Sequence, residues 1–255
     1  MLVANTTKQK LRNGETVYGT FMRQADPTLA EFVAMQGMDF MIFDGEHGSL
    51  EARDIEGLSR ACELHGVTPI ARVPTNEPST ILRFLDAGAH GVQVPWVNTA
   101  DEVEQVVRSA KYGPRGMRGL AGSRQGGWGI TEPLGEFTQR ANRETMVVIH
   151  IETAAAAGAV EQYVAIDDVD VLFIGPTDLS HSLGHPGDLG HPEVVKVMDR
   201  VTEVVVASDK TLGIFVGTRS AAESWEEKGA RYIAAGFEGL IKQGIQAYLP
   251  DGRSS

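Results

Sequence analysis

Eight short apolar runs recur along this chain, each followed by a longer amphipathic stretch, and that alternation constrains the fold more than any other feature. The runs are Val17–Arg23, Asp39–Asp44, Thr68–Val73, Gly91–Val97, Met146–Glu152, Asp170–Pro176, Leu212–Gly217 and Arg231–Gly236. Most are continuous rather than alternating, as strands covered on both faces are, and such strands belong to parallel sheets flanked by helices. Eight βα units within 255 residues predict an α/β fold, a (β/α)8 (TIM) barrel forming a single domain over residues 1–255.

The stretches between the runs carry helix punctuation. Pro27–Gly37 has Asp26 as its N-cap and Gly37 at its end, and Pro78–Gly88 closes on Gly88. A helix starting at Thr99-Ala100-Asp101-Glu102 runs to about Lys111, with acids in its first turn. Thr153–Ala165, Pro192–Ser208, Arg219–Gly229 and Glu238–Leu249 read as further helices. Tyr112–Pro133 breaks the pattern: it is long, glycine-rich and carries Arg115, Arg118 and Arg124. It is expected to lie over the C-terminal face of the barrel, as a phosphate cradle, a lid or an oligomer contact, though it matches no P-loop spacing.

Charge and cysteine content narrow the function. The net charge is −11 and the basic residues are scattered, so nucleic acid is excluded as a partner. An anion must therefore be met locally, by a metal or an arginine. Cys62 is the single cysteine, which rules out an internal disulfide and every multi-cysteine metal site, and fits a reducing compartment. No segment reaches the ~20 apolar residues of a membrane span, and the N-terminus lacks a signal-peptide pattern. A cytoplasmic protein with no membrane partner is expected.

In a barrel of this kind, chemistry sits at the C-terminal ends of the strands. Those ends supply Asp44-Gly45-Glu46-His47, Arg72, Gln93 with Trp96, His150 with Glu152, and Asp178. Glu152 and Asp178 follow adjacent strands, which lie roughly 4.8 Å apart, so their carboxylates can share one hard cation such as Mg²⁺ or Mn²⁺. Alternatively, each caps a helix or turn. His150 faces the same side as Glu152, as a third ligand, a donor to substrate, or a barrel-layer histidine satisfied by a neighbour. Asp44 and His47 bracket a turn, either as an acid/base dyad or with Asp44 bonding its own backbone. Arg72 ends an apolar strand, where a guanidinium needs an anion, supplied by substrate or by Glu46. No lysine is placed to form a Schiff base at the mouth, so carbonyl chemistry there needs a metal as electron sink.

These motifs resemble a known family. Asp44-Gly45-Glu46-His47-Gly48, Arg72-Val73, Val94-Pro95, Tyr112-Gly113-Pro114-Arg115-Gly116, Ile151-Glu152-Thr153 and Gly175-Pro176-Thr177-Asp178-Leu179-Ser180, continuing to His191-Pro192-Glu193, are similar to those of the HpcH/HpaI aldolases, the class II pyruvate aldolases. The resemblance runs in order over nearly the whole chain. It implies a metal-dependent barrel enzyme, a carbon–carbon lyase using Mg²⁺, Mn²⁺ or Co²⁺, that cleaves 4-hydroxy-2-oxo acids to pyruvate, or a related 2-oxo acid such as hydroxypyruvate, and an aldehyde. By resemblance, Glu152 and Asp178 hold the metal, Arg72 steadies the enolate, and His47 with Asp44 moves protons. His150, Gly175, Pro176 and Thr177 border the substrate, while Asp86 and Arg124 reach a neighbouring subunit's site. The resemblance also implies a homo-oligomer, a hexamer built as a trimer of dimers, with a helix exchanged between subunits.

Two positions depart from the family pattern: His150 stands where Gln is usual, and Thr177 where Ala or Ser is common. Both border the pyruvate pocket, so they bear on the choice of 2-oxo acid. An oxaloacetate decarboxylase or a lyase of CoA-linked acids on the same scaffold is the nearest rival. A non-catalytic barrel that binds an organic acid is the more distant one.

Overall fold

The computed structural model describes residues 1–250. Its eight strands are β1 (Val17–Met22), β2 (Phe40–Asp44), β3 (Thr68–Arg72), β4 (Gly91–Val94), β5 (Met146–Ile151), β6 (Val171–Ile174), β7 (Thr211–Phe215) and β8 (Tyr232–Gly236). They close in chain order into one parallel barrel, with β8 returning to β1. Each strand coincides with one of the eight expected runs. Most runs extend further at the C-terminal end because their last residues, among them Arg23, Glu152 and Pro176, leave the ladder for the connections above it.

Helix signals hold at most termini. Asp26 accepts hydrogen bonds from the backbone of Thr28 and Leu29, and Thr99 with Glu102 forms a capping box. Gly88 ends its helix at φ 123°, a conformation that disfavours any side chain; a Cβ there would also strike Arg124 Nη1 at 2.0 Å. The expected helix Thr153–Ala165 is instead two short ones, Ala154–Gly158 and Val160–Tyr163, broken at Ala159. Helices Thr6–Arg12, Ala52–Leu64, Leu134–Glu144 and Pro176–Ser182 add to the expected set.

The apolar interior divides in two. Outside the barrel, strands and helices bury a continuous layer that includes Met41, Phe43, Ile55, Leu58 and Val106. Inside it, Phe40 stacks on Tyr232 with ring centroids 4.0 Å apart. Gly19 makes this possible, since a Cβ there would lie 2.3 Å from the Phe40 ring. The ring pair plugs the barrel and leaves open only the end where the strands finish.

Helix Thr6–Arg12 covers the opposite end. Lys8 Nζ donates to Thr145 O at 3.2 Å and pairs with Asp170 at 2.9 Å. Lys111 is buried beside it, donating to the carbonyls of Asn142 and Thr145, and burial pushes its ammonium down to about 8. Among the described residues no helix is long and apolar enough to cross a membrane.

Tyr112–Pro133 does not lie over the C-terminal face. It joins the end of helix Ala100–Ala110 to the approach to β5, and such αβ connections lie where strands begin. Its arginines are paired there: Arg115 with Glu104 and Asp168, Arg118 with Asp86 at 2.6 Å, and Arg124 with both oxygens of Glu63. Arg118 and Arg124 are buried in these pairs and Arg115 is held between two acids, an arrangement unlike an open phosphate cradle.

Glu63 anchors this end. It accepts from Arg124 and the N-terminal amine, and lies 3.2 Å from His90 Nε2. Burial alone would raise its carboxyl, but the bonds from His90, Arg124 and the N-terminus outweigh it and bring the group down to about 2. A carboxyl that ionises lower when folded stabilises fully above its unfolded value of 4.5, and loses that stabilisation as pH falls from there toward about 2. Glu63→Gln should therefore cost about 2 kcal/mol at neutral pH. Urea unfolding should show the gap to the wild-type chain closing as pH is lowered to about 3.

Candidate active site

The open end of the barrel holds a cavity of about 300 Å³. Its charged wall includes Asp44, Arg72, Glu152 and Asp178, and its apolar wall is Phe21, Phe173 and Phe215. His47, His150, Gly175, Pro176 and Thr177 also line it. The structure thus gathers nine of the eleven expected site residues in one place.

Asp44 and Arg72 are register partners across β2 and β3. Arg72 Nε donates to Asp44 Oδ1 at 2.8 Å and Nη2 to Oδ2 at 2.6 Å, a bidentate pair with side chains 7% and 0% exposed. Burial would raise the Asp44 carboxyl, but the Arg72 bonds and charge, with the backbone N–H groups of His47 and Glu46, hold it below the usual range. Arg72 also lies over the Phe21 ring at 4.9 Å and places Nη1 3.0 Å from Glu46 Oε2. Glu46 is therefore an ion-pair partner of Arg72, as one of the two sequence readings had it.

The Asp44–His47 dyad does not form. Asp44 Oδ1 accepts the backbone N–H of His47 at 3.1 Å, and not its imidazole. Both Asp44 oxygens are taken by the stronger charge-assisted bonds from Arg72. The His47 ring is half exposed at the rim, with Nε2 4.0 Å from Glu46 Oε2.

Glu152 lies just past β5, and each of its oxygens has a partner. Oε1 accepts the backbone N–H of Trp96 at 2.7 Å, and Oε2 is 2.5 Å from His150 Nδ1. Burial would raise the carboxyl, but the His150 interaction, the Trp96 N–H and the Arg72 charge lower it on balance. His150 Nε2 is 2.6 Å from the Gln93 side-chain nitrogen, and Tyr232 Oη donates to Gln93 Oε1 at 3.4 Å. His150 is thus a buried barrel-layer histidine whose two nitrogens face Glu152 and Gln93. Trp96 adopts φ 54°, rare for a bulky residue, and its indole N–H donates to Glu46 Oε1 at 3.0 Å.

Asp178 is not at a strand end but in the first turn of helix Pro176–Ser182, which follows β6 directly. The preceding Gly175 keeps the space beside Glu152 open, because a Cβ there would approach Glu152 Oε2 to 3.1 Å. Around the cavity, Asp44, Glu46, Glu152 and Asp178 outnumber Arg72 and Arg23. Glu46 Oε2 is buried with the Arg72 ion pair as its contact and accepts no well-aligned hydrogen bond. Burial and the Glu152 charge raise the Glu46 carboxyl. An excess of carboxylates with oxygen donors only is the set a hard divalent cation takes. Among the described residues, no third histidine, cysteine or carboxylate joins Glu152 and Asp178 as a compact ligand group, so substrate and water oxygens would complete the coordination.

Asp86 and Arg124 do not line this cavity. Each is paired inside its own chain at the opposite face, Asp86 with Arg118 and Arg124 with Glu63. Three contributors escaped the sequence reading. Arg23 and Glu238 follow β1 and β8, so applying the strand-end rule to all eight strands would have found both. The phenylalanine wall carried no signal beyond its apolarity.

Because Asp44 and Arg72 are buried together, removing one strands the other. Asp44→Asn and Arg72→Met should each cost about 3 kcal/mol, and the double variant markedly less than their sum. Denaturant unfolding of the four proteins measures that coupling.

Comparison with known proteins identifies the family of this barrel. The family model described as HpcH/HpaI aldolase/citrate lyase matches residues 17–243. A hydroxypyruvate/pyruvate aldolase of Delftia acidovorans is 31% identical over 97% of this chain and 92% of its own length. A 4-hydroxy-2-oxovalerate aldolase of Novosphingobium aromaticivorans is 34% identical over 92% and 88%. The crystal structure of an HpcH/HpaI aldolase/citrate lyase family protein from Burkholderia cenocepacia superposes with a TM-score of 0.92 at 33% identity, covering 98% of this chain and 100% of the other. A match of this extent, on a barrel whose mouth unites the expected acids and arginine, places the chain in the HpcH/HpaI aldolase/citrate lyase family.

Proposed function

We propose that the cavity is the active site of a divalent-metal-dependent aldolase that reversibly cleaves 4-hydroxy-2-oxo acids to pyruvate or hydroxypyruvate and an aldehyde. Family membership and aldolase-named relatives make the chain a carbon–carbon lyase. The observation that carries the finer reading is the buried Asp44–Arg72 pair facing Glu152 and Asp178 across one cavity. Glu152 and Asp178 would hold the cation, which supplies Lewis-acid polarisation of the 2-keto group.

The remaining work falls to the chain's own side chains. Asp44 fixes the Arg72 guanidinium in one orientation, so its remaining N–H groups face the enolate oxygen without reorganising. His150 holds Glu152 in place from below. The half-exposed His47 is the lining imidazole with room to move a proton, and it takes the proton of the 4-hydroxyl. The C3–C4 pair then passes to C3, the aldehyde leaves, and protonation at C3 yields the 2-oxo acid. Phe21, Phe173 and Phe215 keep water from the carbanion side. His150 and Thr177 border the 2-oxo acid and bear on the choice between pyruvate and hydroxypyruvate.

A homohexamer with exchanged helices belongs to the same proposal. Helix Phe237–Tyr248 buries only Phe237, and leaves Ile241, Ile245 and Tyr248 exposed. A neighbouring subunit would cover that face. The lone buried thiol of Cys62 is compatible with the cytoplasm as its setting.

Incubating the protein with pyruvate or hydroxypyruvate and a panel of aldehydes should yield aldol products. Activity should vanish after EDTA and desalting, and return with Mg²⁺, Mn²⁺ or Co²⁺. Full retro-aldol activity in the chelated protein overturns the metal reading, and CO₂ release from oxaloacetate without aldol product overturns the aldolase one. Arg72→Ala should lower kcat/KM by on the order of a hundredfold, the loss of one preorganised oxyanion donor.

A further inference from the structure

Away from the mouth, the connection between helix Pro176–Ser182 and helix Pro192–Val206 gathers His185, His191 and Glu193. One ligand-capable atom of each lies within 4.8 Å of the other two. His185 Nε2 is 3.1 Å from Glu193 Oε2. The two imidazoles lie face to face, with centroids 3.4 Å apart and planes 17° from parallel. None of the three lines the mouth cavity.

Hydrogen bonds to the backbone of this segment, one of them accepted by the His191 ring, hold the arrangement. The buried Ser180 accepts the N–H of His185 at its carbonyl, 2.8 Å away, and that of Gly187 at its hydroxyl, 3.0 Å away. His191 is the N-cap of its helix, with Pro192 at the first helical position and Glu193 at the second. His191 Nδ1 accepts the backbone N–H of Glu193 at 3.3 Å, which leaves its Nε2 as the free nitrogen.

We propose that His185, His191 and Glu193 form a second divalent-cation site, distinct from the mouth and selective for ions such as Zn²⁺. Two imidazole nitrogens and one carboxylate are the ligand types Zn²⁺ prefers, whereas two carboxylates suit Mg²⁺ or Mn²⁺. Bonds of ~2.0–2.1 Å to a tetrahedral ion place ligand atoms roughly 3.3 Å apart. The stacked rings hold their lone pairs in nearly parallel planes, so binding turns the imidazoles apart to converge on the ion, and the Glu193 side chain, 57% exposed, follows. The cation clips residues 183–191, with Gly184 and Gly187 both at positive φ, to the start of the long helix. That segment directly follows the helix bearing Asp178, so occupancy stiffens the support of the mouth from behind. This inference does not rest on the aldolase reading.

The test uses the full chain without a histidine tag, in a Glu152→Gln/Asp178→Asn background that removes the mouth carboxylates. Equilibrium dialysis against Zn²⁺ with elemental analysis should find about one ion per chain. Adding His185→Ala, or His191→Asn, which retains a capping side chain, should weaken binding at least tenfold, as loss of a direct ligand exceeds loss of an outer-shell partner. Unchanged Zn²⁺ binding in those variants, or none in the background, overturns the proposal. Should the background fail to fold, the otherwise native chain saturated with Mg²⁺ is titrated with Co²⁺. A visible absorption band of four-coordinate Co²⁺ that disappears in His185→Ala supports the site, and a band unaffected by that change overturns it.

Discussion

Everything at the mouth of this barrel depends on burying one charge pair, Asp44 with Arg72. Removing a carboxylate and a guanidinium from water is expensive, and the attraction between them offsets that cost only if the geometry is close to ideal. The sheet supplies that geometry: the two residues are directly opposed on neighbouring parallel strands, so their side chains extend the ladder upward. Shifting either strand by one residue would turn a member of the pair to the other face of the sheet. Register, and hence the placement of every later strand end, is tied to this pair.

The tiers below and beside the pair follow from its charge. Phe40 and Tyr232 close the barrel beneath the cavity and keep water from rising through it. Above them Gln93 and His150 link the Tyr232 hydroxyl to Glu152, so a polar chain runs from the dry core to the site with its members paired. Trp96 resolves the remaining conflict, the approach of Glu46 to Glu152. Its left-handed backbone costs on the order of 1 kcal/mol or more. In return its backbone N–H reaches one carboxylate and its indole N–H the other.

The barrel and most of its mouth were legible in the sequence because both follow from local rules. Eight apolar runs fix eight buried strands, and the rule that polar strand-end residues face the mouth found Asp44, Arg72, His150 and Glu152. What escaped was set by partners distant in the chain. The reach of Arg118 to Asp86 and of Arg124 to Glu63 draws residues 112–133 to the N-terminal face. That placement was nonetheless deducible, since any segment leading into a strand starts at that face. Asp178 was found by the same strand-end rule but misplaced, because Gly175-Pro176 starts a helix one turn earlier than an apolar run reveals. His185 with His191 and Glu193 was invisible as a cluster, since only the folded loop stacks the two rings.

The pairing of Asp44 was the one real competition that spacing could not decide. The sequence offers Asp44 either His47 or its own backbone and does not point to Arg72, whereas electrostatics favours that permanently charged, bidentate partner inside a dry site. The outcome divides the chemical tasks differently from a dyad. Asp44 does not orient an imidazole; it immobilises a guanidinium, so under the proposed function the charge that would meet a developing enolate is fixed before substrate arrives. His47 is left on the rim, half in water, with its Nε2 4.0 Å from Glu46 Oε2. A rigid guanidinium below and an exposed imidazole above fit the proposed reaction, in which the 2-oxo acid end is held at the barrel and the aldehyde end lies at the rim.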